Sequence, residues 1–209
     1  MYLSQLHLSP TDKKTQRTLH DVYLLHQVLL AAFPREAHQS GGRLLYRLEP
    51  SGGTEPNVRL LVQSEMQPQW GRIEVGSQLS ITAQHTKVFD PELAPGSLFR
   101  FRIRANPTVK REGRRLGVIG EKDQLDWLQR KLAASGCKLL DCTVHDEGHL
   151  TGRKSARRSG VRPYVMTFRS SRFEGVLRVE STSDAVAAIG AGLGPGKAFG
   201  FGMLSLARL

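Results

Sequence analysis

Hydrophobic and polar positions alternate from the first residues, where Tyr2-Leu3-Ser4-Gln5-Leu6-His7-Leu8 has the two-residue period of a half-buried strand. A polar loop containing Lys and Thr is expected after Pro10. The period then lengthens: Val22, Leu25, Leu29 and Ala32 recur at three- and four-residue spacing. A helix is therefore expected from an N-cap at Asp21 to Phe33, where Pro34 blocks continuation. Strands follow over residues 43–48, 57–63 and 79–89, the first two separated by the turn-forming Pro50-Ser51-Gly52-Gly53.

The pattern restarts after Pro95-Gly96. Phe99, Phe101 and Ile103 alternate with Arg100, Arg102 and Arg104, which gives a strand with one core face and one cationic face. A helix over 122–134 buries Leu125, Leu128 and Leu132 and stops at Gly136. A strand is expected over 138–144, loop over 149–162, a strand pair at 163–169 and 173–180, a short helix at 184–190, and a last strand over 200–207. This half reads β-α-β-β-α-β, and the first half is a reduced version of it. The expected fold is α+β, two tandem ferredoxin-like domains over residues 1–94 and 95–209.

Composition adds bounds. With 209 residues, 39% apolar and 23% charged, the chain can form two cores, and disorder as its main state is excluded. No signal-peptide pattern opens it, and no apolar run reaches the roughly 18 residues of a membrane span, so the expected location is the cytoplasm. Two cysteines, Cys137 and Cys142, fit a reducing compartment.

Charge changes the picture most. Residues 100–172 hold 18 basic and 7 acidic side chains, which is the whole net charge of +11, whereas the remaining residues hold 12 of each sign. Concentration in a third of the chain implies a polyanionic partner, nucleic acid first. Arg153, Lys154, Arg157, Arg158 and Arg162 lie among Ser and Gly with no acid between them, a composition suited to phosphate neutralisation. Arg102 and Arg104 extend the candidate surface.

Candidate chemistry is sparse. Tyr23 and His26, three apart on the first helix, present a phenol and an imidazole on neighbouring positions; the imidazole can exchange a proton near neutrality and the phenol can orient or stabilise a reacting group. A solvated bystander histidine is the plainer alternative. Cys137, Cys142, His145 and His149 have zinc-ligand residue types without a CxxC pair, and His145-Asp146-Glu147-Gly148-His149 is not HExxH and reads as a polar turn. The run from Gly190 to Gly202, with Gly192, Gly194, Gly196, Gly200 and Gly202 around Lys197, matches neither a P-loop nor GxGxxG. It can let backbone approach a phosphate or serve as a tight packing turn.

These residues together resemble the CasE family, the CRISPR RNA-processing endoribonucleases of the type I-E Cascade complex. The resemblance is carried by Met1-Tyr2-Leu3-Ser4, by Tyr23-Leu24-Leu25-His26-Gln27 leading to Phe33-Pro34, and by Phe101-Arg102-Ile103-Arg104-Ala105-Asn106-Pro107. Trp127-Leu128-Gln129-Arg130-Lys131-Leu132, Phe173-Glu174-Gly175-Val176-Leu177 and the terminal glycine block complete it. It implies two ferredoxin-like domains of the RAMP superfamily that bind the stem-loop of a CRISPR repeat and cut precursor RNA at the base of the stem. Other Cascade subunits are implied as partners, with no membrane, metal or cofactor.

The resemblance also implies catalysis by His26 with Tyr23 as helper. Attack of a ribose 2′-hydroxyl would leave a 2′,3′-cyclic phosphate and a 5′-hydroxyl, with Lys197 among the supporting cations and Arg157 and Arg158 gripping the stem. His20, one to two turns before His26, leaves open which imidazole dominates. The alternative is a non-catalytic RNA-binding RAMP subunit, which would not need His26.

Overall fold

The computed structural model describes residues 1–34, 43–49, 57–74, 78–154 and 164–209. Among these residues, ten strands, five α-helices and a short 3-10 turn form two compact units. The first comprises Met1–Phe89, Leu150–Phe168 and Ala198–Gly200; the second comprises Asp90–His149, Arg169–Lys197 and Phe201–Leu209.

In the first unit, strands β1 (Tyr2–Leu8), β2 (Leu44–Leu48), β3 (Val58–Ser64) and β4 (Ile81–Val88) make a sheet in the order β2-β3-β1-β4. The ladders are antiparallel, with Leu6 opposite Leu60 and Gln84. Helices α1 (Lys13–Leu19), α2 (Val22–Leu30) and α3 (Gly71–Glu74) connect the strands. Leu6 and Leu8 of β1, Leu25 and Leu29 of α2, Leu60 and Val62 of β3 and Trp70 form the core. β2 is buried on both faces: Leu44 and Tyr46 enter this core, while Arg47 forms a buried ion pair with Glu49 at 2.6 Å.

Two expectations change here. The segment after Pro10 is a helix, not a loop: Asp12 accepts from the backbone N–H and hydroxyl of Thr15, and the residues it buries are Thr15 and Thr18. A helix whose inward face is threonine has no apolar stripe to reveal it. The second helix ends at Leu30, short of Phe33.

In the second unit, β5 (Leu98–Ala105), β8 (Cys137–Lys154), β9 (Tyr164–Val179) and β10 (Ser205–Arg208) run in the order β10-β5-β9-β8. Numbered within each unit, both sheets have the same strand order, the arrangement of a ferredoxin-like fold and the basis of the tandem repeat. Helices α4 (Glu121–Ala133) and α5 (Thr182–Ala191) supply the crossovers. Phe99, Phe101, Ile103, Leu128, Phe173 and Leu177 are buried. On α4 the inward positions are Gln124, Trp127, Leu128 and Leu132, and Leu125 is only half-buried, against expectation.

The largest corrections concern β8 and β9. Residues 145–149 are strand rather than polar turn, strand continues through 149–154, and the expected strand pair 163–169 and 173–180 is one strand from Tyr164 to Val179. Gly148, at φ 74°, sits inside β8 and breaks its alternation, which makes the segment look like a turn in sequence. The described ends of both strands beyond His149 and before Arg169 belong to the first unit. A small hairpin, β6 (Thr108–Arg111) and β7 (Arg114–Gly117), has no counterpart in the sequence reading; it turns at Glu112 and Gly113, both with positive φ. Among the described residues, no helix is long and apolar enough to cross a membrane.

Candidate active site

Helix α2 places the two candidate reacting side chains. Asp21 caps it by accepting from the N–H groups of Tyr23 and Leu24 at 3.0 and 3.1 Å. With Val22, Leu25, Val28 and Leu29 turned into the core, Tyr23 and His26 are left half-buried on another face.

Aromatic rings surround them. Phe199 stands 6.5 Å from the Tyr23 ring and 6.3 Å from the His26 ring, meeting the imidazole edge-on at 68°. The ring of Tyr46 of β2 is also near His26, with centroids 6.5 Å apart and planes 18° from parallel. Phe168 packs on Phe199 at 4.8 Å. The imidazole is thus bounded by rings while the phenol of Tyr23 shares the Phe199 wall, an arrangement that can present a proton-transfer group and a hydroxyl to one phosphate.

His20 does not share this helix. It is the C-cap of α1, exposed, with Nδ1 donating to the Gln16 carbonyl at 2.7 Å.

The end of β8 is fastened to the same helix. The N–H of Arg153 donates to both carboxylate oxygens of Asp21, at 3.2 and 3.3 Å, and Gly152 lies against the backbone of Tyr23. The Arg153 side chain is left exposed, and Lys154 lies 6.0 Å from the centroid of the Tyr164 ring. Arg157, Arg158 and Arg162 lie outside the described residues.

A family model described as CRISPR associated protein matches residues 1–208. The chain belongs to the CRISPR-associated Cse3/CasE family. It is 34% identical over 217 residues to the CRISPR-associated endoribonuclease Cse3 of Thermus thermophilus, covering 99% of this chain and 100% of that protein. It is also 29% identical over 226 residues to the Cascade subunit CasE of Escherichia coli, covering both chains in full. A structure of the Thermus Cse3 bound to an RNA representing a pre-cleavage complex aligns over 99% of this chain and 98% of that one, with a TM-score of 0.82 and 32% identity. The crystal structure of the CRISPR-associated protein Cas6e from Escherichia coli aligns over both whole chains with a TM-score of 0.69 and 27% identity.

Elsewhere in this Cse3/CasE-family chain, Arg102 and Arg104 of β5 are paired with acids. Glu147 of β8 binds Arg104 at 2.6 and 3.1 Å, and also receives Arg172 and the hydroxyl of Ser170. Glu174 binds Arg102 at 2.8 Å and contacts Arg172, while Asp146 pairs with Arg169. Burial alone would raise the Glu147 carboxyl. The hydrogen bonds and charges of Arg104, with Ser170 and Arg172, outweigh it and hold the group below its ordinary value. The motif that looked like a turn therefore supplies Glu147 to Arg104 of β5 and Asp146 to Arg169 of β9, while the partner of Arg102 is Glu174 of β9.

The glycine block winds through a series of left-handed positions. A Cβ at Gly202 would fall 2.5 Å from the carbonyl oxygen of Leu193, and one at Gly194 would meet the Trp127 ring. Lys197 opens the 3-10 turn Lys197–Phe199 that delivers Phe199 to the site. Burial pushes the Cys137 thiol up to about 11 and the Cys142 thiol to about 12, with neighbouring carboxylates adding to both, so both remain neutral thiols near pH 7. No group of three or more His, Cys, Asp and Glu side chains placed to hold a metal occurs among the described residues.

Sequence reasoning missed Tyr46, Phe168, Phe199 and Gly152 as parts of the site. Tyr46, Phe199 and Gly152 reach α2 from distant parts of the chain and Phe168 packs on Phe199, and none carries a local spacing signal.

Proposed function

We propose that this chain is the endoribonuclease that processes CRISPR RNA in its own Cascade complex, with His26 and Tyr23 as catalytic residues. The observation that carries the reading is the half-exposed Tyr23–His26 pair on α2, walled by Tyr46 and Phe199. It occurs in a chain that matches, end to end, an endoribonuclease captured with RNA before cleavage. The substrate is the stem-loop of a CRISPR repeat, cut at the base of the stem, and the working location is the cytoplasm.

The nucleophile lies within the substrate. The ribose 2′-hydroxyl attacks the adjacent 3′-phosphate in line, its proton is removed, and the departing 5′-oxygen receives one. The products are a 2′,3′-cyclic phosphate and a 5′-hydroxyl. His26 serves as general acid or base, a role worth typically about 10²–10⁴ in rate. Tyr23 orients the 2′-hydroxyl or stabilises the charged phosphorane, aided by Lys197. Because attacking and leaving groups are both parts of the RNA, the reaction needs no metal-activated water.

Gripping the stem falls to basic side chains, because A-form RNA is read mainly through its backbone and shape. Arg153, Lys154, Arg157, Arg158 and Arg162 are the proposed contacts, with the glycine-rich loop allowing close backbone approach; Arg102 and Arg104 of β5 would reach a phosphate only by giving up part of their pairing with Glu174 and Glu147. In this reading residues 1–94 carry the chemistry and residues 95–209 contribute most of the basic charge.

A hairpin with a single 2′-deoxyribose at the scissile position tests the mechanism. It is expected to bind like the all-RNA hairpin and remain uncut; cleavage of it would rule out attack by the 2′-hydroxyl. A non-catalytic RNA-binding subunit would bind both hairpins and cut neither.

A further inference from the structure

Tyr46 has no part in the proton transfers above, yet it touches both segments that bear on His26, helix α2 and the turn at 198–200. It lies in the middle of β2 and is 2% exposed. Its ring is nearly parallel to the imidazole, 18° off at a centroid distance of 6.5 Å. Its hydroxyl donates toward two backbone carbonyls, that of Val22 at 3.1 Å and that of Ala198 at 3.3 Å, which share its one proton.

Both carbonyls are placed to matter. Val22 lies four residues before His26, so its carbonyl closes the helical turn on which the imidazole stands. Ala198 immediately precedes Phe199, whose ring meets the same imidazole edge-on. At Gly200, with φ 83°, a Cβ would come within 3.0 Å of Cε2 of Tyr46, so the turn already lies against this ring.

We propose that Tyr46 is a positioning residue for His26. Its ring borders the imidazole at a nearly parallel angle, and its hydroxyl fixes the spacing between the first turn of α2 and the 198–200 turn that carries Phe199. This rests on the catalytic reading of His26. Proton transfer requires the acceptor nitrogen to stand within hydrogen-bond reach of the reacting oxygen. An imidazole with one nearly parallel ring at 6.5 Å and one ring edge at 6.3 Å changes its relation to both when it rotates.

The experiment uses the full chain with Tyr46→Phe, which keeps the ring and removes the hydroxyl, and His26→Ala beside it. Three quantities are measured: single-turnover cleavage at saturating repeat hairpin, the hairpin Kd, and the His26 imidazole resonance across pH, assigned by its disappearance in His26→Ala. The expected result for Tyr46→Phe is a Kd within about twofold of wild type and a cleavage rate down about tenfold, because misplacement of a reacting group is felt mainly in the chemical step. The His26 resonance and its titration midpoint should also move.

Cleavage by Tyr46→Phe within twofold of wild type overturns the proposal. So does slower cleavage with the His26 resonance and midpoint unchanged, which would make Tyr46 a general packing residue. If His26→Ala cuts at the wild-type rate, the catalytic reading itself fails, and a His26 resonance that still moves in Tyr46→Phe identifies that failure as distinct from a failure of the Tyr46 contact.

Discussion

At Gly152 a single hydrogen in place of a side chain lets β8 close onto α2. A Cβ there would stand 3.1 Å from the Tyr23 nitrogen, the Tyr23 Cβ and the Val22 Cγ2. Two of these atoms belong to the residue that carries the phenol, and one is backbone. Gly152→Ala should therefore destabilise the fold by about 1–3 kcal/mol, the usual range for overpacking, and slow RNA cleavage because the turn it displaces is the one bearing Tyr23. Urea midpoints and single-turnover rates check this; an unchanged midpoint would mean that the turn yields freely. The three-residue spacing of Tyr23 and His26 on one helix was legible in the sequence, and both lie on α2 beside Phe199; the roles proposed for them come from the family resemblance and not from that spacing. The rings around them were not legible, because Tyr46 is brought to α2 by strand order and Phe199, with Phe168 packed on it, by a turn far along the chain.

Among the elements, the β5–β8–β9 face is where charge pairing bears on stability. Glu147 is held ionised against its own burial by Arg104, Ser170 and Arg172. A carboxyl whose folded value lies below its ordinary 4.5 contributes stability that is fully present above that pH and is lost as pH falls through the lower folded value. The thermal midpoint of the wild type should thus drop on acidification below about pH 4.5 more steeply than that of Glu147→Gln, which starts lower and has less to lose. Parallel acid profiles for the two would remove Glu147 from this role. The same elements show where sequence pattern gives out. Alternation located β1 and β5 and the buried Phe99, Phe101 and Ile103 of β5, and the N-cap and its apolar stripe located α2. The pattern hid α1, whose inward face is Thr15 and Thr18, and it broke the long β8 at Gly148, where a positive φ interrupts the two-residue period.

For the molecule as a whole, the sequence placed all of the +11 charge in residues 100–172, and the structure qualifies what that charge does. Arg102, Arg104, Arg169 and Arg172 are engaged with Glu147, Glu174 and Asp146. Arg153 leaves its side chain exposed while its backbone is bound to the cap of the helix bearing Tyr23 and His26. The segment expected to grip and the helix expected to cut are therefore not independent parts, since residues 150–154 pack in the same unit as α2. Repeat-hairpin affinity should fall steeply with salt. Replacing Arg157 and Arg158 together by Ala should weaken binding and flatten the log–log salt slope by up to about 2, one for each phosphate left without its arginine. An unchanged slope would take both side chains off the RNA.

The central claim is that His26 performs the chemistry on an RNA that supplies its own nucleophile. The most direct measurement is single-turnover cleavage of a labelled repeat hairpin in EDTA, by wild type and by His26→Ala, with product ends identified and Kd measured in parallel. The wild type should cut and leave a 2′,3′-cyclic phosphate, while His26→Ala binds comparably and cuts at least about 10²-fold more slowly. Cleavage by His26→Ala at the wild-type rate, or a wild type that cuts only when Mg²⁺ is restored, would contradict it.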